Sequence, residues 1–129
     1  MRLPSNFYMS MVVMQELVIG AEDATEVKEL DMIWRVYEKA GKLLVPTDED
    51  WWQAGKIINA LQRGRKSQQG GQTPKLSAEE KHRLTSDVLI ARTAKREGVT
   101  VVTDNTKDFE MIRRFCAVKI VSSADYFGS

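Results

Sequence analysis

The run Val99-Thr-Val-Val-Thr103 constrains this chain more than any other segment. It carries no charge, is β-branched, and lies between Gly98 and Asp104. Such a run reads as a strand without a water-facing side. Helical patterns flank it, over about 87–97 before and 106–114 after. A strand apolar on both faces needs cover on both, and helices supply it in parallel α/β sheets. The expected class is therefore α/β, with a short parallel sheet flanked by helices.

The rest of the chain keeps the alternation. A short strand end at 7–10 precedes a helix over 11–19, which Gly20 stops. Val27, Leu30, Ile33, Trp34 and Tyr37 recur at helical spacing over 25–39, and Gly41 ends that helix. A strand at 42–45 is closed by Pro46. Thr47 with Asp50 forms a capping-box pattern. The helix it opens shows Trp51, Ala54, Ile57, Ile58 and Leu61 on one face and is expected to end near Gly64. Ser77 with Glu80 is a second capping box, and Ser86 is expected to cap the helix that begins at Asp87. A last strand falls at 118–121.

Length and composition set outer limits. The 129 residues, 43% apolar and 29% charged, fit one domain with a real core. The single cysteine, Cys116, excludes an internal disulfide framework or a Cys-rich zinc site and suits a reducing cytoplasm. The single histidine, His82, sits among charged neighbours and reads as a solvated surface residue. No apolar run approaches the ~20 residues that span a bilayer, and Met1-Arg-Leu-Pro-Ser-Asn does not read as a signal-peptide h-region.

A net charge of +1 hides a strong asymmetry. Residues 22–50 hold nine acids and four bases, and residues 56–83 hold seven bases and two acids. The basic block centres on Gln62-Arg-Gly-Arg-Lys-Ser-Gln-Gln-Gly-Gly-Gln-Thr-Pro-Lys75. It lacks apolar periodicity and reads either as a solvated loop or as a basic flap beside an anionic ligand, with Arg63, Arg65 and Lys66 as phosphate contacts. Trp51 and Trp52 are adjacent and cannot point the same way on a helix. Trp34, Trp51 and Trp52 read as core by their spacing, or as an interface.

The acids suggest chemistry. In open parallel sheets, ligands bind beyond the carboxyl ends of the strands. Asp104, Asn105 and Asp108 follow directly on the strand ending at Thr103, Asp87 is expected at a helix start, and Glu16 lies on an otherwise apolar helix. A charge in that apolar surround needs partners if buried. Carboxylates gathered together repel and favour a hard divalent cation such as Mg²⁺ or Mn²⁺. Each residue also has a plainer reading: Asp87 as a favourable charge at a helix start, Asp104 and Asn105 as turn or cap residues.

Three segments, in order, resemble the PIN-domain family, and VapC-like toxins of toxin–antitoxin pairs in particular. They are Tyr8-Met-Ser-Met-Val-Val-Met-Gln-Glu-Leu-Val-Ile-Gly-Ala-Glu22, Thr85-Ser-Asp-Val-Leu-Ile-Ala91 and Val101-Val-Thr-Asp-Asn-Thr-Lys-Asp-Phe-Glu110. The resemblance implies a PIN-like three-layer α/β domain over residues 1–129. It also implies an endoribonuclease that cleaves RNA phosphodiesters with Mg²⁺ or Mn²⁺. Glu16, Asp87 and Asp108 would be catalytic metal ligands, Asn105 would orient a ligand or water, and Asp104 would be a further acid. An antitoxin protein and a homodimer are the implied partners. The family opens on a strand ending in Asp-Thr-Asn or similar. Here nine residues precede Ser10 and the first aspartate is Asp23. The expectation is thus a domain lacking its first strand, first helix and first carboxylate. The alternative is a catalytically inactive PIN-like remnant that binds protein or nucleic acid. A flavodoxin-like or receiver-like domain fits less well, because Thr103-Asp104-Asn105 does not resemble the Lys-containing turn of receivers.

Overall fold

A computed structural model describes residues 7–68 and 76–128. The chain divides between Val45 and Pro46 into two compact units.

The first unit holds β1 (Met9–Ser10), α1 (Met11–Ile19), α2 (Ala24–Lys39) and β2 (Leu43–Leu44). Ser10 ends the strand and caps the helix in one step, its hydroxyl accepting from Val12 N at 3.2 Å. Asp23 caps α2 by accepting from Glu26 N at 2.9 Å, and Glu26 returns a bond to Glu22 N at 2.8 Å. These local bonds satisfy amides that a helix start leaves open. Gly41 has φ +69, a left-handed turn that glycine adopts without strain, and it sends the chain back into β2. β2 pairs parallel with β1, Met9 opposite Leu43 and Ser10 opposite Leu44. Met14, Tyr37 and Leu44 are the buried apolar side chains described in this unit, and Ser10 is buried with them. The C-terminal end of α1 is solvated: Leu17, Val18 and Ile19 are exposed, and so is Glu16.

The second unit holds α3 (Asp48–Gln68), α4 (Ala78–Glu97), β3 (Val101–Thr103), α5 (Thr106–Ile112), β4 (Ile120–Ser122) and α6 (Ser123–Phe127). Thr47 and Asp50 make the reciprocal box: Thr47 N donates to Asp50 Oδ2 at 2.9 Å and Asp50 N donates to Thr47 Oγ1 at 3.2 Å. Ser77 and Glu80 do the same at the start of α4. Gly98, at φ +67, closes α4 in the left-handed cap expected of glycine. β3 and β4 pair parallel, Val101 opposite Ile120 and Thr103 opposite Ser122. α3 packs along α4, and α4 along α5. Ala54, Ile58, Val88, Leu89, Phe109 and Ile112 are among the buried side chains of this core.

Two expected boundaries move. Asp87 was expected at a helix start with Ser86 as its cap. Instead α4 is one helix from Ala78, and Ser86 is buried inside it. The box at Ser77 starts the helix, and no proline or glycine between 78 and 87 interrupts it. Likewise α3 runs through Gly64 to Gln68, so Arg63, Arg65 and Lys66 stand on a helix rather than in a loop. One glycine costs a helix only about 1 kcal/mol. Strong helix formers surround it, and Arg63 Nε donates back to Asn59 Oδ1 at 2.7 Å. The side chains of Arg65 and Lys66, and the rest of the basic block at 69–75, lie outside the described residues. The terminal helix α6 has no counterpart in the sequence reading.

Candidate metal centre

The carboxyl end of β3 leads straight into the site. Thr103 closes the strand and its Oγ1 accepts from Asn105 N at 2.9 Å, which fixes the bend through Asp104. Asn105 then occupies the N-cap position of α5. A cap residue normally turns its side chain onto the first amides of its helix. Asn105 makes no such bond. Its Nδ2 donates instead to Asp108 Oδ2 at 2.8 Å and more weakly to Asp87 Oδ2 at 3.4 Å. One amide therefore ties α5 to the middle of α4 through two carboxylates.

A third group completes the arrangement. Arg83 stands one helical turn before Asp87 on α4 and donates through Nε to Asp108 Oδ2 at 2.9 Å. Asp108 is buried, whereas the Arg83 side chain is 53% exposed. The hydrogen bond and charge of Asp108, reinforced by Glu80 and Asp87, hold the guanidinium above its usual pKa. Sequence reading missed Arg83 as part of the site. The signal was its i, i+4 spacing to Asp87, which puts both on one helix face.

The other expected site residues are placed differently. Asp104 is exposed in the bend, and no hydrogen bond or ion pair joins it to the three residues among those described. Glu16 belongs to the first unit and is exposed on a solvated helix, so it needs no partner of the kind a buried charge would. Arg63 is exposed and lines a groove of about 610 Å³ on α3 with Trp51, Trp52, Lys56 and Phe115. Trp51 and Trp52 are both exposed, so neither is core. His82 is on the surface as expected.

The donor set can be tested against a divalent cation. Among the described residues no three His, Cys, Asp or Glu side chains gather closely enough to hold a metal. Asp87 and Asp108 nevertheless converge on one donor, and both are hard oxygen ligands. Mg²⁺ commonly uses one or two carboxylates and keeps several waters. Asn105 presents its NH₂ here, and a half-turn of the amide would present a carbonyl oxygen. The residues therefore fit a hydrated Mg²⁺ or Mn²⁺ and do not fit a metal enclosed by protein ligands.

The family model of the PIN domain matches residues 1–114. The chain belongs to the PIN-domain family. PIN domains are generally divalent-metal-dependent nucleases. Among solved structures, the chain is similar to one described as FitAB bound to an IR36 DNA fragment. The TM-score is 0.53 and the identity 18%, over 91% of this chain and 73% of the other. That likeness is one of fold, and it agrees with the α/β class and the short parallel strands. No curated protein matches the chain. Among the described residues, no helix is long and apolar enough to cross a membrane.

Proposed function

We propose that this PIN domain is a metal-dependent endoribonuclease of the toxin type, with Asp87 and Asp108 as its cation ligands and Asn105 as their organiser. One observation carries the reading. Asn105 sits where a cap is wanted and spends its side chain on two carboxylates instead. That choice gives up about 1 kcal/mol of capping. It holds together two like charges that would otherwise separate. Residues retained against local stability are what a functional site leads one to expect.

The chain's own groups have distinct tasks in this reading. Asp87 and Asp108 hold the cation, and Asn105 fixes their spacing or turns its carbonyl inward. Bound there, Mg²⁺ or Mn²⁺ would supply an activated water and charge stabilisation at the phosphodiester. Glu16 is assigned as a further ligand by the family resemblance alone, and Asp104 as an outer acid. Arg63, Arg65 and Lys66 on α3 are proposed as contacts to RNA phosphates. An antitoxin protein and a homodimer are proposed as partners on the same family grounds.

The test is RNA cleavage by the full chain with Mn²⁺, comparing wild type with Asp87→Asn. Loss of a ligand is expected to lower the rate by at least about a hundredfold, more than outer-shell changes usually do. Unchanged cleavage would sink the assignment. A second reading, an inactive PIN-like binding module, is favoured by the lack of any three-ligand group among the described residues and by the exposed Trp51 and Trp52. In that case no cleavage is seen in wild type either.

A further inference from the structure

Asp108 Oδ2 accepts two hydrogen bonds, from Asn105 Nδ2 at 2.8 Å and from Arg83 Nε at 2.9 Å. Both donors thus sit on the carboxylate that a cation would bind. The two are not equivalent. An amide can rotate and offer its carbonyl, turning from donor into ligand, whereas a guanidinium has five donors and no acceptor. Asn105 can stay when a cation arrives, whereas Arg83 meets like-charge repulsion from it. Its surroundings let it move away: the side chain is more than half exposed, and Glu80 lies three residues earlier on the same helix face. A divalent cation also carries twice its charge and binds carboxylate oxygen directly rather than through a hydrogen.

We propose that Arg83 is a resident counter-ion of the acidic site, which holds Asp108 Oδ2 while no divalent cation is bound and moves off the carboxylate when one binds. The proposal rests on the reading of Asp87 and Asp108 as cation ligands. Its consequence is a dual role for one side chain. In the metal-free protein Arg83 relieves repulsion between the acids and keeps α4 and α5 joined. By the same contact it competes with the metal, so the site fills only above a cation concentration that Arg83 sets.

The experiment is calorimetric titration of the full, metal-free chain with MnCl₂, for wild type, Arg83→Gln, Arg83→Lys and Asp87→Asn. Removal of the competing charge is expected to tighten Mn²⁺ binding in Arg83→Gln by about fivefold, the scale of an exposed ion pair. Arg83→Lys keeps the charge and is expected to stay within about twofold of wild type. Arg83→Met keeps much of the stem's packing and serves in the same way if Arg83→Gln does not fold. In ¹⁵N-labelled protein, the Arg83 Nε–H resonance is expected to shift on addition of MgCl₂. Equal or weaker Mn²⁺ binding by Arg83→Gln, with binding abolished in Asp87→Asn, overturns the counter-ion role and leaves the metal centre standing. No Mn²⁺ binding by any variant overturns both.

Discussion

Arg92 Nε donates to Asp50 Oδ1 across 2.9 Å, and that carboxylate is only 2% exposed. The pair joins the first turn of α3 to the C-terminal half of α4. Asp50 Oδ2 also takes Arg96 and the Thr47 amide, so one buried side chain caps one helix and anchors another. Removing a single partner of a buried pair leaves charge without compensation. Because Arg92 and Arg96 both retain some contact with water, Asp50→Ala is expected to cost about 2–4 kcal/mol, toward the lower part of the range for such pairs. Urea unfolding measures it. A loss under about 1 kcal/mol would mean that the two arginines find water at little cost.

Asn105→Asp separates the structural and ligand roles of that position. It replaces the shared donor by a third negative charge beside Asp87 and Asp108. In EDTA the variant is expected to melt lower than wild type, by about 1 kcal/mol, since like charges meet. With Mn²⁺ it is expected to recover and to bind the ion more tightly, because ligand charge has risen. A variant as stable as wild type in EDTA and indifferent to Mn²⁺ would count against a cation at this place.

Cys116 offers a pH test. Burial pushes its thiol pKa up, against a smaller pull downward from Lys95 and Arg92. The native state therefore keeps the proton longer than the unfolded chain does. Stability from this group is complete below the ordinary thiol pKa of about 8.5 and declines as pH rises past it. Unfolding free energy is expected to fall between about pH 8 and 10, and Cys116→Ser is expected to flatten that slope. At pH 8 the native thiol is expected to react slowly with an aromatic disulfide reagent and quickly in guanidinium. Fast native reaction would place the thiol at the surface.

Trp51 and Trp52 are 57% and 69% exposed. Their fluorescence is expected to be red-shifted and readily quenched by acrylamide. Trp52→Ala is expected to change stability by under about 0.5 kcal/mol, as for surface sites generally. Shielded emission at micromolar concentration that becomes accessible on dilution would show that copies of the chain cover this face.

The sequence carried the local structure well where the signal was itself local. Both capping boxes, Thr47 with Asp50 and Ser77 with Glu80, were legible because their bonds span three residues. Gly98 was legible for the same reason. Errors arose where a local signal had a rival. Ser86 beside Asp87 has the chemistry of a helix start, but α4 had already begun at Ala78 and buried it. Gly64 looked like an end, yet its neighbours carried the helix on. The helix α6 was missed although Ser122 caps Asp125 N at 3.0 Å. At the site, the resemblance pointed to the segment that holds Asn105 and Asp108, and the two side chains do meet at 2.8 Å. The partnership of Arg83 with Asp108 was not legible, because the two are 25 residues apart in sequence. The arginines of Asp50, 42 and 46 residues distant, were hidden for the same reason.

The unused cap of α5 has a dynamic corollary. With the Asn105 side chain turned to Asp87 and Asp108, the opening amides of α5 have no side-chain acceptor of their own. That first turn is expected to exchange its hydrogens earliest in the helix. Asp108 lies within it, and Phe109 and Ile112 behind it are almost wholly enclosed. The turn is thus held from its side chains inward rather than from its end. Whatever neutralises Asp108 tightens α5, and whatever strips that neutralisation away lets the helix fray toward the core, so amide protection along seven residues becomes a gauge of what the site contains.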